Sequence, residues 1–465
     1  MKTAHSKSHP QHYAASRLQH ATRLWRSYLE AEDLPQLDRW IAAEMKKHRQ
    51  FGKQDRYWYS EILFAAVRFG YLVIFLDTIR KEIKDRQETE LSQIVHEHIE
   101  FFSKHDLRQD EIVTAWKHIP PEQFFYLIGK RYCYGHNEAT WPVTAQLEQQ
   151  TRQLLDRLFE VYEQYQGQSH DLTIQLLWQG IPLSFALLLE HRKTFSHWSA
   201  EDLNKFLHNQ SVRPPLWIRL NDPDRKAEVL AEFEQHEMII SEYDHALQVS
   251  GETSIFEFQA YKTGLIEIQD FASQQIGACV EAKPGDCVLD CCAGEGGKTL
   301  QIAACMKNRG VIYASDIREY KLKDLRRRAT RARYDNIRIV TWDGETLPQF
   351  PREVSKRGGF DWVLVDAPCS STGTWRRNPD AKFRVTPVSL TEMTALQTQL
   401  LQNASKMVRR GGKLVYSTCS WLVEENEAIV ERFLNENPNF HLITQNLYGN
   451  PSVNADTMFS AVMQR

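Results

Sequence analysis

The sequence predicts an α/β protein whose C-terminal half is a doubly wound, mostly parallel sheet. A small α+β subdomain and an all-helical N-terminal domain precede it. Three observations carry this expectation. Short apolar runs alternate with amphipathic runs from about 284 onward, the pattern of strands joined by crossover helices. Residues 12–210 carry apolar positions at helical spacing. Near 211 the texture changes, with short strand-like pieces and a single helix up to about 268.

The elements follow in order. Leu18, Leu24, Trp25 and Leu29 lie on one face of an early helix, and Leu147, Leu154, Leu155, Leu158, Phe159 and Tyr162 do the same later. Pro120-Pro121 and YGHNEATWP (134–142) interrupt the pattern, and the second stretch reads as a linker. EILFAAVRFGYLVIFL (61–76) is short for a membrane span and contains Arg68, so a buried core helix is expected. RPPLWIRLN (213–221) reads as a strand and RKAEVLAEFEQH (225–236) as a helix. Then come strands at 287–292, 310–316, 337–343, 360–368 and 412–420, with helices at 297–308, 319–333, 389–408 and 424–436. The expected domains are 1–140 (helical, with RNA binding a candidate role), 141–210 (helical connector), 211–270 (the α+β subdomain) and 271–465 (the α/β domain).

Bulk properties narrow the class. The chain has 465 residues, 42% of them hydrophobic and 25% charged, with a formal net charge of −3. Any nucleic-acid binding must therefore come from local basic patches. The eight cysteines form no C-x-x-C pair and no zinc-knuckle spacing, and five of them crowd between 279 and 305. That distribution suits a reducing compartment and no metal site. The first twenty residues hold no apolar signal region, so a cytoplasmic location with no membrane attachment is expected.

In an open α/β sheet, ligands sit at the carboxyl ends of the strands. VLDCCAGEGGKT (288–299) is a glycine-rich turn at such an end. Its Gly-Lys-Thr invites a nucleotide-phosphate reading, with VLVDAP as the acidic strand. The phosphate-loop pattern, however, needs a glycine where Cys292 stands. The alternative is a loop that grips a nucleoside ligand through backbone amides, with Gly294, Gly296 and Gly297 permitting close approach. Asp316 then falls where an acid holds ribose hydroxyls, and Asp343 at the next strand end is placed to meet the base. A lone aspartate at a strand end is more often a cap for the following helix. Three in series, Asp290, Asp316 and Asp343, fit S-adenosylmethionine (SAM) better than ATP.

Cys369 and Cys419 both end strands, in DAPCSSTG (366–373) and YSTCSW (416–421), flanked by Ser, Thr and Gly. Methyl transfer to oxygen or nitrogen needs no cysteine. Carbon 5 of a pyrimidine does, because a thiolate adding to carbon 6 makes carbon 5 nucleophilic. Cysteines facing a SAM crevice thus point to carbon methylation, and on strand position alone Cys369 reads as the nucleophile. Cys133, Cys279, Cys287 and Cys305 read as ordinary core cysteines.

DAPCSSTGTWRRNPDAKFR (366–384), YSTCSWLVEENEAIV (416–430), the loop at 290–299 and GLIEIQDFASQQIG (264–277) resemble the Sun/Nop family of RNA (cytosine-5) methyltransferases. The likeness runs over about 211–465. It implies a Rossmann-like SAM-dependent methyltransferase domain acting on RNA, ribosomal RNA before transfer RNA, as a monomer. It also implies Cys419 as nucleophile, Cys369 as the cysteine that helps release product, and Asp366 as the hydrogen-bonding partner of the target base. SAM would then be held by Cys292, Ala293, Gly294, Glu295, Gly296, Gly297, Lys298, Asp316 and Asp343, with Asp366 alongside. Where the family loop reads Ala-Pro-Gly-Gly-Lys, this chain has Glu295 in place of proline, making the loop less stiff and more acidic.

Two basic stretches are candidate RNA contacts. Lys321, Lys323, Arg326, Arg327, Arg328, Arg331 and Arg333 lie along one predicted helix. Arg376, Arg377, Lys382 and Arg384 follow the DAPC motif, interleaved with Trp375 and Phe383 for stacking. A pyrimidine must leave its stack to be methylated, so single-stranded or flipped-out cytosine is the expected substrate. The rival readings are a nucleoside-triphosphatase and a catalytically idle RNA-binding assembly factor.

Overall fold

Parallel strands buried on both faces must be apolar along their whole length, and CVLD, VIYAS and FDWVLVD meet that demand. In the computed structural model they form the middle of a seven-stranded sheet. The structure describes residues 10–31, 34–83, 91–105, 107–134, 141, 147–168, 171–251 and 253–465, so most of the expected 134–142 linker lies outside the described residues. The chain divides into two compact units. One comprises 1–212 together with 375–384, and the other 213–374 with 385–465.

The second unit holds both sheets. β1 (Leu216–Leu220), β2 (Ile239–Tyr243), β3 (Ala246–Ser250) and β4 (Ile266–Ile268) make an antiparallel sheet in the order β2-β3-β1-β4. The large sheet contains β5 (Cys287–Asp290), β6 (Val311–Ser315), β7 (Ile337–Val340), β8 (Phe360–Asp366), β9 (Val408–Thr418), β10 (His441–Tyr448) and β11 (Met458–Gln464). Its order is β10-β11-β9-β8-β5-β6-β7; β9, β8, β5, β6 and β7 run parallel, and β11 is antiparallel to both β9 and β10.

Alternate residues of these strands enter different cores, as a period of two requires. Leu289, Val363, Val365, Leu414 and Tyr416 join one apolar cluster, while Val288, Trp362, Leu364 and Val415 join another. The sheet is therefore covered on both faces, the doubly wound arrangement expected. Because β5 pairs with β6 on one side and β8 on the other, the strand order reverses at β5 and opens a crevice beyond its carboxyl end.

Two departures bear on the site. β7 stops at Val340, not at Asp343, because β6, its only neighbour among the described residues, ends at Ser315 opposite Val340 and offers no further partner. The helix expected at 424–436 begins only at Glu427, after a single 3₁₀ turn at Val423–Glu425.

In the first unit, all described elements but the 3₁₀ turns are α-helices, among them the long Lys53–Ile83. That helix is apolar and long enough to cross a membrane by composition, yet 89% of its most apolar window is buried within the protein. Residues 375–384 belong to this helical unit. Trp375 meets Phe185 edge-on with ring centres 4.7 Å apart, and Phe383 meets Trp116 at 5.3 Å. Lys382 Nζ donates to the carbonyls of Arg68 (2.6 Å) and Gly180 (2.5 Å), and Arg68 donates to the Arg376 carbonyl at 2.8 Å. The expectation that this stretch presents its side chains to RNA is corrected accordingly. Trp375, Arg376, Lys382 and Phe383 are at most 4% exposed, and burial holds the Lys382 ammonium well below its ordinary pKa. Arg377 is exposed. The motif fills a helical core.

Candidate active site

The site is assembled from the ends of β5, β6, β8 and β9 in the second unit. After β5, the chain turns on Gly294 and Gly296, both at positive φ (55° and 85°), and enters the helix Gly297–Cys305. A Cβ on Gly296 would lie 2.6 Å from Leu325 Cγ, so the turn needs glycine for space as well as conformation. Glu295, the residue that stands in place of proline, points outward and is exposed. Arg219 of β1 donates to the Gly297 carbonyl (2.8 Å) and to Gln269 (2.7 Å), fixing the first turn of the helix from the neighbouring sheet.

Three carboxylates face different demands. Asp290, at the end of β5, is 1% exposed; Thr299 Oγ1 donates to its Oδ2 at 2.6 Å, while its Oδ1 is a buried acceptor with no hydrogen-bond partner. Burial raises its pKa to about 7. Asp316, just past β6, accepts from the Gly294 amide (3.0 Å), the Arg318 amide (2.9 Å) and the Arg318 guanidinium (2.9 and 3.0 Å). Burial alone would raise its pKa, but these donors outweigh it and hold the carboxyl below its ordinary range. Asp343 is different. It is exposed, beyond the end of β7, and accepts from the amides of Glu345 (2.9 Å) and Thr346 (3.1 Å), the capping geometry of a tight turn.

Lys298 Nζ sits 2.7 Å from Asp366 Oδ2, and Ser417 Oγ donates to Asp366 Oδ1 at 3.0 Å. These bonds tie the glycine loop to the ends of β8 and β9. Beyond Asp366 the two cysteines come together: Cys369 Sγ and Cys419 Sγ are 3.2 Å apart, each half-buried. The neighbouring sulfur, then burial, push the Cys369 thiol well above its ordinary pKa. Cys292 is also shifted upward by burial and by the nearby aspartates, which suits a lining group and not a nucleophile.

The turn between these strands is as constrained as the cysteines. The Gly373 amide donates to the Cys419 carbonyl at 3.0 Å, and the Thr457 amide donates to the Gly373 carbonyl at 3.0 Å. A Cβ on Gly373 would lie 1.8 Å from the Thr457 carbonyl oxygen. Among the described residues no cluster of three or more His, Cys, Asp or Glu has the geometry to hold a metal ion.

Residues 278–461 match the family described as 16S rRNA methyltransferase RsmB/F. A protein from Synechocystis sp. named probable ribosomal RNA small subunit methyltransferase B is 32% identical over 245 residues, covering 51% of this chain and 54% of its own length. The ribosomal RNA small subunit methyltransferase B of Enterobacter sp. is 32% identical over 269 residues, 56% and 59% of the two chains. The chain thus matches a little over half the length of these RsmB/F relatives. Among solved structures, one titled PH0851 superposes with a TM-score of 0.64 at 24% identity over 99% of each chain. A methyltransferase homologue from Pyrococcus horikoshii gives 0.52 at 24% identity, covering 63% of this chain and 97% of its own. Those likenesses show the Rossmann-like α/β fold, and the RsmB/F match agrees with the Sun/Nop resemblance of the DAPC and TCS motifs.

Several residues that complete the site carry no recognisable sequence signal of their own. Arg219 and Arg318 are single arginines in unremarkable surroundings. Glu425 and Asn426 are the exception: they stand in the EENE run beside the TCS motif, so proximity to Cys419 could have flagged them.

Proposed function

We propose that this protein is a SAM-dependent RNA (cytosine-5) methyltransferase acting on small-subunit ribosomal RNA. The observation that carries the reading is the pair of strand-end sulfurs 3.2 Å apart beside the Lys298–Asp366 ion pair. Carbon-5 methylation requires a thiolate that can add to carbon 6, methylation at nitrogen or oxygen needs none, and a second cysteine beside the first can assist its release.

The loop fits the cofactor. Gly294 and Gly296 keep its backbone bare, Asp290 Oδ1 is a buried acceptor awaiting a donor, and Asp316 is held as a carboxylate at the edge of the crevice. Cys292 to Lys298, with Asp316, would hold SAM; Asp343, exposed in its turn, would close over the adenine end. When bound, SAM supplies an electrophilic methyl group. The chain's own groups do the rest. The Cys419 thiolate adds to carbon 6 of cytosine, and the electron pair of the 5,6 double bond becomes available at carbon 5, which takes the methyl. Asp366 hydrogen-bonds the base and holds it in position for the addition. A base then takes the carbon-5 proton, its electron pair restores the double bond and Cys419 leaves as thiolate, with Cys369, 3.2 Å away, assisting the release.

The ribosomal RNA assignment is supported by the names of the relatives, and the RsmB/F match favours it over transfer RNA. The burial of Lys53–Ile83 supports a protein that works in solution. Incubation with tritium-labelled SAM and ribosomal RNA tests the activity. Cys419→Ala should reduce transfer by at least ~10³-fold and form no covalent RNA adduct. Cys369→Ala should accumulate an adduct, seen as a retarded band on a denaturing gel. Adduct in Cys419→Ala but not in Cys369→Ala would reverse the two roles. No incorporation by the wild-type chain would favour the idle assembly factor, and ATP binding without SAM binding would favour the triphosphatase.

A further inference from the structure

The two cysteines sit on separate loops, one after β8 and one after β9, and the pairing of the strands brings the loops side by side only as far as Asp366 and Ser417. Each loop is gripped by one of two adjacent buried residues. The Glu425 carboxylate accepts from the Ser370 amide at 2.8 Å, from the Ser370 hydroxyl, and from Gln397 Nε2 at 3.0 Å. Ser370 directly follows Cys369. Asn426 Oδ1 accepts from Thr418 Oγ1 at 2.5 Å, and its Nδ2 donates to the Ser420 carbonyl at 2.9 Å. Thr418 and Ser420 flank Cys419. Both Glu425 and Asn426 are fully buried.

Further bonds lock this pair and the two loops together. Tyr416 Oη donates to the Glu425 carbonyl at 2.6 Å, anchoring the pair to β9 itself. Gln397, already on Glu425, also donates to the Pro368 carbonyl at 2.9 Å, so the residue before Cys369 is held too. Ser420 Oγ and Thr372 Oγ1 are 2.8 Å apart and join the two loops directly. A buried carboxylate is costly unless its lone pairs are matched by donors, and here three donors converge on it, two of them from the residue next to Cys369.

We infer that Glu425 and Asn426 are positioning residues that set the separation of Cys369 and Cys419. Glu425 holds the first loop and Asn426 the second, and their adjacency in the chain converts two loop positions into one rigid distance. Neither touches the reacting atoms. The role of Glu425 is geometric, so a neutral side chain of the same shape serves. Gln at 425 can accept from the Ser370 amide through its oxygen and donate to the Ser370 hydroxyl through its nitrogen. The inference deepens the proposed methyl transfer and, for its kinetic consequence, rests on it.

The test uses the full chain and two independent readouts. The first is methyl transfer to ribosomal RNA. Glu425→Ala and Asn426→Ala should each lower kcat by ~100-fold, the cost of a misplacement of about 1 Å, with KM and the SAM dissociation constant within ~3-fold of wild type. Glu425→Gln should restore kcat to within about tenfold of wild type. The second readout is closure of the Cys369–Cys419 disulfide by diamide, followed by peptide mass spectrometry. The two thiols give up two protons and two electrons, and diamide takes them up as the hydrazine. Sulfurs already in contact should couple readily, and Glu425→Ala should slow closure by about tenfold. Closure at the wild-type rate in Glu425→Ala, or a Glu425→Gln as slow as Glu425→Ala, would overturn the inference. Should Glu425→Ala fail to fold, Asn426→Ala and Ser370→Ala carry the same comparison. If the wild-type chain transfers no methyl group, the functional reading falls while diamide closure still decides the clamp.

Discussion

Asp290 shows how a single buried oxygen sets a pH response. Its carboxyl has a folded-state pKa of about 7, raised by burial, against an ordinary carboxylate value of 3.8 in an open chain. The folded protein therefore binds this proton more tightly than the unfolded chain does. Its contribution to stability is complete below about pH 4 and is lost as pH rises toward 7, with an upper bound on the order of 4 kcal/mol. Asp290→Asn removes the ionisation and keeps the shape. The melting temperature of wild type relative to Asp290→Asn should fall between pH 4 and pH 7 and level off above, read by thermal melts in a buffer series. A difference that is flat over this range would show that Asp290 is not the proton-binding group. Asp316, at the end of the adjacent strand, has the opposite bias because Arg318 and the Gly294 amide favour its charge.

At the level of elements, the glycine turn at 373 is among the narrowest joints of the second unit. Gly373→Ala drives a methyl group into the Thr457 carbonyl, and the backbone must move because neither partner is a flexible side chain. The expected cost is about 1–3 kcal/mol of stability, with kcat falling ~100-fold as the Cys419 loop shifts; circular dichroism melts and methyl-transfer rates check the two. How much of this was legible beforehand differs by element. β5, β6 and β8 are buried on both faces, so their apolar runs announced them, and their terminal aspartates were found with them. β7 is an edge strand with one neighbour, and local pattern alone extended it to Asp343. β10 and β11 escaped notice because HLITQNLY has no clean alternation and the pairing partner of MFSAVMQ lies some fifty residues upstream in β9. Glu425 looked like the start of a helix, since helical propensity does not reveal that its carboxylate is spent on a loop fifty-five residues away.

On the scale of the whole molecule, composition favoured RNA contact for the basic-aromatic stretch 375–384, and burial reversed that. Arginine, lysine and tryptophan in alternation look alike whether they face phosphates or backbone carbonyls. The chain contributes this stretch to the helical unit from far along the sequence. A fragment of residues 1–212 therefore lacks Trp375, Lys382 and Phe383 from its core. That fragment should bind a hydrophobic dye and melt well below the helical unit of the full chain. A synthetic peptide of residues 375–384 should raise its melting temperature, which differential scanning fluorimetry would register. A fragment that is equally stable with and without the peptide would mean the segment is dispensable to the helical core.

The same threading limits how this protein can be rebuilt from parts. A conventional chimera exchanges a domain by cutting the chain once, at a linker. Here a foreign helical domain spliced in before residue 213 would meet a plug, 375–384, shaped for a different socket. Exchange of the N-terminal domain must be accompanied by a matched ten-residue exchange downstream, so the two stretches are heritable as a unit despite the 162 residues that separate them in the sequence.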